Sequence, residues 1–140
     1  MSHFHSDAEI ERIARGLIDR SLPKSSWTHA AHFAAALWLL RWEDAHANMP
    51  SFIRAYNEAT GVSNTDTSGY HETITLASLR AGHAWLAGRP GMPLHAVLEG
   101  MLAGALGRSD WLLTYWSRPV LFSAAARRMW VDPDLGPLPF

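Results

Sequence analysis

The sequence predicts an all-α fold: a single-domain helical bundle of about six or seven helices with an extended, proline-rich C-terminal tail. Three observations lead there. Apolar residues recur at helical spacing along most of the 140-residue chain, the periodic stretches are separated by Gly, Pro, Ser and Asp clusters, and no convincing strand pair or internal repeat appears. One domain, residues 1–140, is expected, large enough to bury roughly two-thirds of its unfolded surface. Residues 1–6 are expected to be flexible.

The first helix reads from Asp7 to Arg20. Ser6 or Asp7 can cap it, its first turn is acidic, and Ile10, Ile13, Ala14, Leu17 and Ile18 repeat on one face. Ser21-Leu22-Pro23 ends it. Ser25 or Ser26 offers an N-cap for a second helix from about Trp27 to Asp44, built of strong helix formers. Met49-Pro50-Ser51 begins a third, shorter helix, Phe52 to Thr60, which Gly61 terminates. The stretch GVSNTDTSGY, 61–70, is turn chemistry with only Val62 and Tyr70 to bury, so it reads as a loop leading into His71. The helical pattern resumes from His71 to about Ala87 and breaks at 88–93. Leu94 to Leu106 and Asp110 to Trp116 are two further helical pieces. Ser117-Arg118-Pro119 opens a last helix through Met129, where a proline in the first turn removes no intrahelical bond. The tail VDPDLGPLPF cannot continue that helix and is expected to lie across the bundle, anchored by Leu135, Leu138 and Phe140.

Composition excludes several classes of function. Twelve basic and thirteen acidic residues give a net charge of −1, with no basic cluster beyond Arg127-Arg128, so nucleic acid is not an expected partner. Without cysteine, disulfides, thiolate ligands and a Cys nucleophile are ruled out. The N-terminal residues mix His, Asp, Glu and Arg where a signal peptide needs an apolar run, and Ala30 to Leu40 is too short to span a bilayer. A cytoplasmic protein without membrane association is expected. Apolar residues make up 48% and charged residues 18%, with seven Trp, which hints at a buried oligomer contact. Trp38 and Trp42 lie about 180° and 220° from His29 on the helical wheel and should be exposed unless covered, which predicts a homodimer.

The histidines carry the candidate chemistry. On a helix His29 and His32 share one face with Phe33, Ala36 and Leu40, so both imidazoles point inward, and the i, i+3 spacing lets both reach a single ion. His71 shares a stripe with Ile74, Thr75, Ser78, Gly82 and Trp85, whose small members leave room beside it. Glu72 flanks that stripe and can either ligate a metal or accept a hydrogen bond from a ligating imidazole. Three neutral imidazoles plus a carboxylate or water form a first shell suited to zinc, iron, nickel or manganese. His29 and His71 each start a helix, where the dipole favours the neutral, metal-binding imidazole. Tyr70, as a phenol near a metal, could donate a proton. Trp27, Tyr56, Asn57, Thr75 and Trp85 are candidate pocket walls, with Tyr56 packed inward on its helix. His3 and His5 belong to the terminus, and His46, His83 and His95 fall on outer faces.

The strings LPKSSWTHAAHFAAALWLL, IRAYNEATGVSNTDTSGYHETIT and SRPVLFSAAARRMWVDPDLGPLPF resemble an uncharacterised family of small all-helical bacterial proteins, common in proteobacteria. Its marks look like WTHxxH, a YN pair before GYHET, and a C-terminal WVDPDLxPLPF. They stand here as Trp27-Thr28-His29 with His32, Tyr56-Asn57, Gly69 to Thr73, and Trp130 to Phe140. The resemblance implies family membership and carries no activity with it.

Three readings remain open from the sequence. In the first, His29, His32 and His71 hold a divalent metal and Glu72 is a fourth ligand or the base that activates metal-bound water, as in a hydrolase or lyase acting on a small molecule. In the second, a metal-free pocket walled by Trp27, Trp38, Trp85 and Tyr56 takes a small apolar ligand, or haem through one His. In the third, the histidines are hydrogen-bonded core residues of an interaction module.

Overall fold

The most uniformly apolar helix becomes the centre of the structure. In the computed structural model, which describes residues 4–140, α2 (His29–Trp42) is buried from Ala30 to Leu39 apart from the half-buried His32. A helix apolar on every side can be stable only when neighbours cover every side. Here α1 (Asp7–Asp19), α3 (Ala45–Ala59), α4 (Glu72–Ala87) and α5 (Leu94–Ala103) all pack against it. Two short helices, α6 (Arg118–Leu121) and α7 (Ala124–Arg128), follow, and the described residues contain seven α-helices and no strand. Short 3₁₀ turns occupy Lys24–Ser26, Ala105–Gly107 and Trp111–Thr114.

Several boundaries differ from the sequence expectation, each for a local reason. α2 begins at His29, because the Ala31 N–H donates to Thr28 Oγ1 at 3.2 Å, while Ser25 and Ser26 wind into the preceding 3₁₀ turn. α3 begins at Ala45 rather than Phe52: Asp44 caps it by accepting from the Ala47 N–H at 3.2 Å, and Pro50 lies inside the helix. Pro50 forgoes one bond, to the carbonyl of His46, an exposed residue that water can reach. The expected last helix is split at Phe122-Ser123. Ser123 Oγ donates to the Val120 carbonyl at 2.7 Å and accepts from the Ala126 N–H at 3.1 Å, so one hydroxyl closes α6 and opens α7.

The terminal segments are held by caps supplied from a distance. Pro93 cannot cap α5 with its side chain, and Asp7 does so instead, accepting from the Leu94 and His95 N–H groups at 3.1 and 2.9 Å and contacting His95 Nδ1 at 2.6 Å. Asp134 in the tail accepts from the Ser117 N–H at 2.8 Å at the start of α6. Trp116, fully buried, donates from Nε1 to the Val131 carbonyl at 2.9 Å and meets Trp130 edge to face. Phe4, Leu138 and Phe140 also pack on the core, whereas Leu135, an expected anchor, is 59% exposed and is tied only through its N–H to the Tyr115 carbonyl. Of the expected residue 1–6 flexibility, the part on residues 1–3 lies outside the described residues.

Trp38 is not a surface residue. α1 covers it, with the Arg15 guanidinium 5.4 Å from its ring, and it is 6% exposed against 64% for Trp42. The dimer expectation therefore rests on Trp42 alone. No helix among the described residues is long and apolar enough to cross a membrane.

Candidate functional site

The loop 61–71 is shaped by one side chain. Asn64 Oδ1 accepts from Asn57 Nδ2 and from the Tyr70 N–H, both at 3.0 Å, while Asn64 Nδ2 donates to the Arg54 carbonyl at 3.1 Å. Gly69 passes over this hub with φ +78. Arg127 reaches from α7 and donates to the Gly69 and Tyr70 carbonyls at 3.0 and 3.4 Å, and Arg128 pairs with Asp66. A segment rich in turn formers is thereby tied directly to α3 and α7, and forms a wall rather than a tether.

Between this loop, α3, α4 and the start of α2 lies a cleft of about 380 Å³. Its polar lining comes from His32, Asn57, Tyr70, His71, Thr75 and Ser78, its apolar lining mainly from Trp27, Met49, Ile53, Val62 and Ile74. The size is that of a small-molecule pocket, and the mixture of apolar walls with few polar groups is what such sites require.

Most of those polar groups are already engaged. His71 is the N-cap of α4: its Nδ1 accepts from the Ile74 N–H at 3.2 Å, so the ring proton resides on Nε2, which donates to the Leu121 carbonyl at 2.6 Å. Burial pushes the His71 pKa down, opposed by the Leu121 bond and aided by the nearby Arg127 charge. Thr75 Oγ1 donates to the His71 carbonyl and Ser78 Oγ to the Ile74 carbonyl. Tyr70 donates from its hydroxyl to Glu72 Oε1 at 2.5 Å, and burial together with that carboxylate raises its pKa. Removing the His71 ring is expected to destabilise the fold by about 2–4 kcal/mol, the sum of a lost cap and an orphaned carbonyl. His71→Asn, which can still accept from the Ile74 N–H, should recover about 1 kcal/mol relative to His71→Ala in urea unfolding; equal losses would show that the cap contributes nothing.

His32 is different. Its ring stacks on Trp27, centroids 3.9 Å apart and planes 27° from parallel, and neither ring nitrogen has a hydrogen-bond partner among the described residues. Burial pushes its pKa down to about 4, with a smaller push from His29, so the ring is neutral at physiological pH. A neutral imidazole offers one donor and one acceptor.

The three imidazoles expected to meet at one point do not. His29 does not line the cleft: its Nε2 donates to the Leu106 carbonyl at 2.7 Å and its ring lies edge-on to Phe33. His71 faces the cleft with both nitrogens occupied by backbone. Among the described residues no group of three or more His, Asp or Glu side chains is arranged to hold a metal ion. His71 is turned by capping the start of α4 and by the Leu121 carbonyl, and His29 by the carbonyl of Leu106, 77 residues away, neither of which a helical wheel foresees. Trp85 is drawn into a separate cavity at the end of α5, and Tyr56 lies behind the cleft, its hydroxyl donating to the Leu22 carbonyl at 2.8 Å. Glu72 stands beside the cleft as the partner of Tyr70. Trp27, Asn57 and Thr75 do line it. Ser78 does too, while Gly82, expected to leave room, instead receives the side chain of Leu40. Asn64 and Gly69 escaped the sequence reading, although the Asn and Gly of a turn-forming loop were a usable signal.

No protein-family model matches the chain, and neither a curated protein nor a solved structure matches it significantly.

Proposed function

We propose that this protein binds a small organic molecule in the cleft between α2, α3, α4 and the 61–71 loop, with His32 as the polar group that engages it. One observation carries the reading: a neutral imidazole, stacked on Trp27 and without a hydrogen-bond partner among the described residues, lines a cleft of about 380 Å³. The ring is half-buried and its nitrogens are not sealed from water, so a ligand that pairs with one of them gains a hydrogen bond worth about 0.5–1.5 kcal/mol. The apolar walls favour a ligand with a hydrophobic body and one hydrogen-bonding edge. With a pKa of about 4 the ring is a weak base at neutral pH, so its part is recognition rather than proton abstraction. A ligand-observed NMR screen with indole, phenol and imidazole fragments tests this. Saturable binding that is lost in His32→Ala supports it; absence of any binder, or binders indifferent to His32→Ala, overturns it.

A transition-metal site is the second reading, favoured by the presence of two imidazoles, His32 and His71, on one cleft. Neutral His32 is in the ligating form, and His71 would join it by exchanging the Leu121 carbonyl for the ion. Zinc, iron, nickel or manganese would then supply Lewis acidity. Metal analysis of untagged protein separates the readings: a stoichiometric ion lost in His32→Ala favours this one, and none in the parent removes it.

A further inference from the structure

A second cavity, about 290 Å³, opens where α5 ends, and it shares no lining residue with the His32 cleft. Four aromatic side chains, Trp85, Trp111, Tyr115 and Phe140, line it. Trp111 stands at 71° to Tyr115 and 57° to Phe140, with centroids 6.3 and 6.1 Å apart, so the rings are steeply inclined walls rather than a stack. Trp85 lies against Gly100, where an added Cβ would come within 2.8 Å of its ring, and the Arg89 guanidinium sits 3.8 Å from its centroid. Arg89 thus occupies one face of Trp85, and no guanidinium is stacked on Trp111, Tyr115 or Phe140 among the described residues.

The rest of the lining adds to the attraction that the aromatic faces offer a cation. Met101 lies in the last turn of α5 and Gly104 is its C-cap, at the negative end of the helix dipole, and no basic residue in that turn compensates it; Ala105 and Leu106 follow in the next 3₁₀ turn. Among the described residues no Lys, Arg or His lines the cavity. Inclined π faces and an uncompensated helix C-terminus both favour a positive guest, while apolar walls without a carboxylate disfavour a strongly hydrated one. The volume is at the small end for ligand pockets, which suits a head group rather than a large molecule.

From this we infer a binding site for a small organic cation of the quaternary-ammonium class, held by Trp85, Trp111, Tyr115 and Phe140. The inference is independent of the His32 cleft. It is tested with choline and its uncharged isostere 3,3-dimethylbutan-1-ol, titrated into the full chain while the tryptophan indole N–H resonances are followed. Choline is expected to shift the Trp85 and Trp111 signals saturably and to bind at least about tenfold more tightly than the alcohol. Phe140→Leu, which keeps apolar contact but removes a π face, should weaken choline about threefold or more and leave the alcohol unchanged. Because Trp111 is a core residue, the Phe140 variant carries the test, with its urea midpoint confirming the fold. Equal affinity for the two compounds, shifts confined to other tryptophans, or choline failing to saturate would each overturn the inference.

Discussion

Gly69→Ala is expected to lower stability by about 3 kcal/mol or more and to abolish ligand binding at the His32 cleft. Gly69 has φ +78, a conformation that L residues adopt at a penalty of about 1–2 kcal/mol. The larger part of the effect is steric. A Cβ there would come within 2.5 Å of the Ser63 carbonyl oxygen, 2.6 Å of Asn64 Oδ1 and 2.9 Å of Asn64 Cα. Two of these atoms are backbone, and the third is the acceptor that holds Asn57 and Tyr70, so relief must break the hub that builds the wall. Gly61 supplies the control: its φ is +85 and nothing lies within 4 Å of its added Cβ, so Gly61→Ala should cost only about 1 kcal/mol. Urea unfolding of the two variants side by side checks this, and equal losses would show that the loop yields at Gly69.

The second large effect is on acid stability. His32 falls from an ordinary pKa of 6.5 to about 4 on folding, so between those values the unfolded chain binds the proton more readily than the folded one. Stability from this group is complete above pH about 6.5 and drains away as pH falls toward 4, to a total of about 2–3 kcal/mol. His71, lowered in the same direction by burial, adds to the slope. The carboxylates Asp7, Asp66, Asp110 and Asp134 are all lowered below 3.8, so their contribution is lost only at still lower pH. His32→Phe is therefore expected to flatten the stability profile between pH 6.5 and 4 while retaining the stack on Trp27. Urea midpoints measured every half pH unit are the check, and parallel profiles for parent and variant would contradict a His32 ring held neutral by the fold.

The parts of this fold that were legible in the sequence are those encoded by neighbours along the chain. Helix periodicity located α1, α2, α4 and α5, and the Gly-Pro breaks separated them. The run of turn residues before His71 announced the loop that walls the cleft, and the same stripe that carries His71 brought Thr75 and Ser78 to it. What stayed hidden depends on partners far along the chain. Asp7 capping α5, Asp134 capping α6 and Arg127 bridging to the loop join residues 87, 17 and 58 positions apart, and no local pattern encodes them. The histidine geometry failed for a related reason. Periodicity assigns a side chain to a face, but the nitrogens of His29 and His71 are directed by the carbonyls of Leu106 and Leu121, which the tertiary fold delivers. Trp38 was misjudged likewise, since its cover is α1. The string from Trp130 onward has a structural account in the Trp116, Thr73 and Ser117 contacts that clamp the tail.

Ligand binding at the cleft depends on His32 being a neutral ring without a protein partner, open to a ligand. The direct measurement is an NMR titration of the histidine ring resonances in the full chain, with His32→Phe used to assign the signal. The His32 ring is expected to titrate near pH 4 and its resonances to shift when a cleft ligand binds. A His32 ring that titrates at or above its ordinary value of 6.5, or one unmoved by such a ligand, would contradict it.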